Sequence, residues 1–112
     1  MTPDSIYEYQ AGIYRALSNA VRLEILYFLR KSPKCVNDIS QAIGRPANVI
    51  SRHLRVLRHG DIVTTRRHGQ EILYQIASPK IITICDLMRE ILAEEASHRS
   101  RLAQGLMNEH TG

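Results

Sequence analysis

The feature that most limits the fold is a change of rhythm at Gly60. Before it, apolar residues recur at helical spacing. After it the period drops from about 3.6 to about 2. Residues 46–59 place Val49, Leu54 and Leu57 on one side of a helix, with Ile50 and Val56 at its edges. Pro46 suits a first-turn position, where a missing N–H costs nothing. Beyond Gly60, Ile62, Val63, Thr64 and Thr65 read as one strand, and Ile72, Leu73, Tyr74, Gln75 and Ile76 as its partner. His68, Gly69 and Gln70 are the turn, with Gly69 free to take a positive φ. Such a hairpin beside a helix is called a wing.

The same stretch holds the charge. Residues 45–68 contain six arginines (45, 52, 55, 58, 66, 67) against Asp61, a net +5, whereas residues 1–44 sum to +1 and 69–112 to −2. The whole +4 balance therefore comes from one segment. Asn48, Ser51, Arg52 and Arg55 fall away from the apolar side of the helix, and a polar, Arg-rich face of this kind fits a DNA major groove. An ordinary solvated face is the alternative for any single cluster. Concentration in one segment with near-neutral flanks favours double-stranded DNA as the partner.

Around this segment the chain is helical. Ile6, Tyr9, Gln10, Ile13 and Leu17 recur at helical spacing over 5–17. Ser18 or Asn19 can cap a second helix that buries Val21, Leu23, Ile25, Leu26, Phe28 and Leu29 before Ser32-Pro33 ends it. A short third helix carries Val36, Ile39 and Ile43 and stops at Gly44. Pro79 opens the last and longest helix, about 79–107, with Ile81, Ile84, Cys85, Met88, Ile91, Leu92, Leu102 and Leu106 along one side and a frayed tail from Asn108. No run approaches twenty apolar residues, and no basic-then-apolar leader opens the chain, so neither membrane nor secretion is expected. Two distant cysteines, Cys35 and Cys85, suggest no disulfide framework and fit a reducing cytoplasm.

The expectation is a mostly α (α+β) fold, a winged helix-turn-helix. Its order is three helices, a recognition helix (about 46–59), a hairpin wing (about 61–77) and a terminal helix, all in a single domain spanning 1–112. The first and last helices carry more apolar surface than so small a domain can cover. A two-fold homodimer built on them would hide it.

These residues resemble the ArsR/SmtB-type winged-helix repressors. The resemblance rests on residues 16–26 (Ala-Leu-Ser-Asn-Ala-Val-Arg-Leu-Glu-Ile-Leu) and 49–57 (Val-Ile-Ser-Arg-His-Leu-Arg-Val-Leu), then on 60–63 (Gly-Asp-Ile-Val) and 66–69 (Arg-Arg-His-Gly). It covers roughly residues 8–107. It implies a homodimer on a palindromic operator, blocking transcription until an effector loosens it. Asn48, Ser51 and Arg52 then lie where side chains reach base edges, Arg suiting guanine and Asn adenine. His53 and Arg55 are candidates for phosphates, as are Arg66, Arg67 and His68 from the wing. His53 has a second reading, as a helix-packing histidine hydrogen-bonded to the backbone, and Arg58 and His59 are expected to face solvent.

The resemblance also poses a sensor question. Where relatives carry Cys-x-Cys near the third helix, this chain reads Cys35-Val36-Asn37, and one thiolate cannot close a soft-metal shell. Where others carry Asp-x-His and His-x-x-Glu on the terminal helix, Asp86 is followed by Met88 and His98 by Arg101. No metal and no other cofactor are expected, the alternative being a metal-responsive repressor with a non-standard site, in which His98 and Glu94, Glu95 or Asp86 gather across the dimer interface. A redox or reactive-sulfur switch through Cys35, with Cys85, stays open. Cys35, beside Lys34 at a helix start, is the better placed, while Cys85 falls in an apolar stripe and the thiol-sensing relatives' terminal cysteine corresponds to Ala93. An enzyme is disfavoured, for there is no Gly-rich phosphate loop and no His-Glu-x-x-His. A winged-helix interaction module without DNA is the outside alternative, and salt dependence separates it from a DNA binder.

Overall fold

The computed structural model describes residues 5–111, with side chains described as far as Leu106. Helix α1 (Ile6–Leu17) begins at Ser5, whose hydroxyl accepts the Glu8 N–H at 3.2 Å. Of the two candidates for the next cap, Asn19 holds the position, its side-chain oxygen accepting the Arg22 N–H at 3.1 Å to open α2 (Ala20–Leu29). Helix α3 (Val36–Ile43) starts at Cys35 and ends on Gly44, whose φ of +75° any Cβ would strain. Helix α4 (Ala47–His59) follows after two residues. Pro46 stands one place before its first turn, with φ −58° and ψ 148°, so it caps the helix rather than starting it.

Strands β1 (Val63–His68) and β2 (Glu71–Ile76) pair antiparallel, Val63 opposite Ile76 and His68 opposite Glu71. His68 therefore belongs to the strand, and the turn is only Gly69-Gln70. Gly69 has φ +64°, and a positive φ at the first of two loop residues is the sign pattern of a type II′ turn. The other edge of β2 is also occupied. Tyr74 exchanges two backbone hydrogen bonds with Lys34, of 3.0 and 2.8 Å, which ties the entry to α3 to the hairpin.

The core is made where these elements meet. Ile25, Leu26 and Leu29 of α2, Ile39 of α3, Ile50, Leu54 and Leu57 of α4, and Ile62 and Val63 entering the wing are all buried. Spacings of four and three from Ile50 to Leu57 make that stripe the seam of α4. Ile50 thus lies at its centre, with Val49 half-buried and Val56 exposed, a rotation from the stripe read in the sequence. Leu23, expected inside, is exposed.

By backbone contacts the chain divides into two units, one ending at Ile82 and one starting at Thr83. The second unit is the remainder of α5 (Pro79–Thr111). Helix α5 stays helical to Thr111 through most of the tail expected to fray, and Gly112 lies outside the described residues. Ile84, Leu87, Met88, Ile91, Leu92, Leu102 and Leu106 of α5 are each more than half exposed, as are Ile6, Tyr7 and Tyr14 of α1. Among the described residues no helix is long and apolar enough to cross a membrane.

Candidate nucleic-acid interface

Burying Ile50, Leu54 and Leu57 fixes which side of α4 is left outside. Asn48, Arg52 and Arg55 are exposed and Ser51 is half-buried, so these four expected contact residues do lie off the seam. The turn that aims the helix is braced locally. The Ser40 hydroxyl donates to the Arg45 carbonyl at 2.5 Å, and the Arg45 N–H returns to the Ser40 carbonyl at 3.3 Å.

His53 packs against a neighbouring helix, as its second reading allowed, but its hydrogen-bond partner is the Arg22 side chain rather than the backbone. Its Nδ1 accepts a hydrogen bond from Arg22 Nε at 3.3 Å, a contact between α4 and α2. Since Arg can only donate, Nδ1 is unprotonated and the neutral ring carries its hydrogen on Nε2. Burial first, then the charges of Arg22, Arg52 and Arg45, hold the imidazole below its ordinary pKa. The same guanidinium reaches the C-terminal end of α1, Nη1 donating to the Ala16 carbonyl at 2.8 Å and the Arg15 carbonyl at 3.4 Å. Arg22 thereby joins three helices. No sequence argument had given it a role, because its side-chain partner lies 31 residues away.

In the wing, successive side chains take opposite faces. Val63 and Thr65 mark the inner face, which puts Arg67 with them and Arg66 and His68 on the outer one. The expected trio of wing contacts is therefore split. The period-2 reading already contained that division. All three side chains are exposed.

Arg58 and His59 are exposed, as expected. With Ser51, Arg55 and Tyr74 they line one hollow between α4 and β2. Tyr74 could not be placed there from the sequence, since the hairpin's packing on α4 decides it.

The cysteines divide by burial. Cys85 is buried, and burial followed by the neighbouring Asp86 charge pushes its thiol pKa up, so the reactive thiolate is disfavoured. Cys35 is half-buried at the start of α3, and the adjacent Lys34 ammonium sits over the Phe28 ring, 5.4 Å from its centre. Among the described residues no three His, Cys, Asp or Glu side chains gather as a metal would require.

Residues 19–65 match the family model described as bacterial regulatory protein, arsR family. The HTH-type transcriptional regulator NmtR of Mycobacterium tuberculosis is 33% identical over 100 residues, 89% of this chain and 78% of that protein. This chain belongs to the ArsR family. The HTH-type transcriptional repressor SmtB of the same organism is 36% identical over 75 residues, covering 67% of this ArsR-family chain but only 56% of the relative. The chain thus spans little more than half the length of that relative. A solution structure from Mycobacterium bovis, described as a homodimeric winged helix-turn-helix DNA-binding domain of a possible ArsR-family regulator, matches with a TM-score of 0.76. It is 28% identical and covers 88% of this chain and 95% of its own. The ArsR-family chain accordingly has the winged helix-turn-helix fold, and the relatives bear the names of regulators rather than enzymes.

Proposed function

We propose that the chain is a single winged-helix DNA-binding domain that dimerises through α1 and α5 and acts in the cytoplasm as a transcriptional repressor. The observation that carries this reading is the uncovered side of α4, where Asn48, Ser51, Arg52 and Arg55 stand off a fully buried seam beside an Arg-bearing hairpin. Arg52 and Asn48 read base edges, and Arg55 with one face of the wing holds the backbone. The exposed apolar residues of α1 and α5 support self-association, as does the homodimeric M. bovis structure. Two-fold symmetry implies a palindromic operator with half-sites about 34–36 Å apart. An effector that favours the unbound form would release it. Of the two thiols only Cys35 is placed to act as a redox trigger, because Cys85 is buried.

Selection of duplexes from a randomised pool by the purified protein tests the reading. An inverted repeat should be enriched, and its affinity should fall by about a thousandfold or more between 50 and 200 mM salt if six or more phosphates are contacted. No enrichment, with binding indifferent to salt, would leave an interaction module instead.

A further inference from the structure

Ser51, Arg55 and Arg58 follow one another at spacings of four and three along one side of α4. Together with His59 they face Tyr74 of β2 across a hollow that no carboxylate lines. Among the described residues, neither Arg55 nor Arg58 has an ion-pair partner. The far wall is fixed, because the backbone of Tyr74 is paired with Thr65 on one edge and with Lys34 on the other. The hollow lies at the C-terminal half of α4, where the helix dipole repels anions, so any attraction must come from these side chains.

A protein that lays a helix in the major groove and the adjoining hairpin at the minor groove must straddle the sugar–phosphate strand between the two grooves. The hollow lies between helix and hairpin. We propose that it seats one DNA phosphate diester per protomer. Arg55 and Arg58 supply charge-assisted hydrogen bonds, and the Ser51 and Tyr74 hydroxyls supply neutral donors. The inference rests on the DNA-binding reading above. It adds Arg58, His59 and Tyr74 to the contact surface and makes the helix–wing junction a binding element rather than a spacer.

The test uses a duplex enriched by the wild-type protein, with single phosphates replaced in turn by uncharged methylphosphonates. One linkage per half-site, between the major-groove half-site and the adjoining minor groove, should cost wild type on the order of tenfold in affinity. Arg58→Ala should lose about as much on the unmodified duplex, lose nothing further on the duplex modified at that linkage, and show a salt slope shallower by about 1.8, from roughly 0.9 per contact. Tyr74→Phe should lose a few-fold with its slope unchanged, and circular dichroism should show both variants folded. Wild-type affinity in both variants, or an Arg58→Ala loss that adds to every linkage alike, overturns the proposal. Amide shifts of Arg58 and Tyr74 on adding inorganic phosphate, without coupling to any linkage, would assign the hollow to a free anion and also overturn it. Failure to enrich any duplex would instead bring down the DNA-binding reading, and this inference with it.

Discussion

Replacing Arg22 by alanine removes three hydrogen bonds that join three helices. One is short, to the Ala16 carbonyl at 2.8 Å, and two are longer, to the Arg15 carbonyl at 3.4 Å and His53 Nδ1 at 3.3 Å. A net hydrogen bond contributes about 1 kcal/mol, and the two long ones contribute less. Arg22 is only half-buried, so water partly replaces what is lost. The expected cost is about 2 kcal/mol, or roughly 8 °C in Tm for a domain of this size. The loss should also depend on pH. The folded pKa of His53 lies below its ordinary 6.5, through burial first and the Arg22 charge second. The unfolded chain therefore takes up the proton first, so stability from the neutral ring is full above about pH 6.5 and is lost as pH falls toward the folded value. Arg22→Ala should raise that folded value, and the gap between variant and wild type should be wider at pH 7.5 than at pH 5.5. Thermal melts at the two pH values, with an NMR titration of the His53 ring, measure both effects. A variant that melts within about 1 °C of wild type, with the His53 titration unmoved, would refute the account of Arg22 as the tie between α1, α2 and α4.

Arg52→Ala should weaken operator binding by about 1–3 kcal/mol and relax preference at one position of each half-site, whereas an equal loss on random DNA would reassign Arg52 to the backbone. Because Arg66 and Arg67 take opposite faces of β1, their alanine variants should differ. One should make the salt slope of the dimer shallower by about 1.8, and the other should leave it nearly unchanged; equal effects would mean the hairpin meets DNA edge-on. Ile91→Glu, at an exposed apolar position of α5, should yield monomers by sedimentation that bind the operator poorly, and a monomer of full affinity would end the dimer model. Mild oxidant should leave operator affinity unchanged, and a loss abolished by Cys35→Ser would establish the thiol switch instead.

The element order was legible because each helix carries an apolar stripe at its own period, buried or not, and the hairpin alternates. The rotation of α4 was less so. Val49, Ile50 and Val56 are chemically similar, and only the position of α2, α3 and β1 around the helix selects Ile50 for the seam. His53 posed the same difficulty in sharper form, since a histidine on a basic helix reads equally as a phosphate contact or a packing group, and the answer sits on another helix at Arg22. The splitting of Arg66 from Arg67 was within reach, because strand alternation follows from the period itself. Tyr74 and the hollow beside it were not, because they arise from the packing of β1 on α4 and the pairing of β2 with β1 and Lys34.

The junction between α4 and the wing is short and tied at several points. Asp61 holds a left-handed φ of +56° and its N–H returns to the Arg58 carbonyl at 3.0 Å. The Ile62 N–H returns to Leu57 at 2.9 Å, Ala77 closes onto Ile62 at 3.0 Å, and Ile62 and Val63 are buried. Helix and hairpin are thereby held at a set span, leaving adjustment to the duplex. A duplex whose grooves do not match that span must bend or narrow, at an elastic cost of order 1–6 kcal/mol that depends on its base steps. Flexible pyrimidine–purine steps and stiff A-tracts would then be told apart at positions no side chain touches, so the rigidity of one backbone joint becomes a sensor of DNA mechanics.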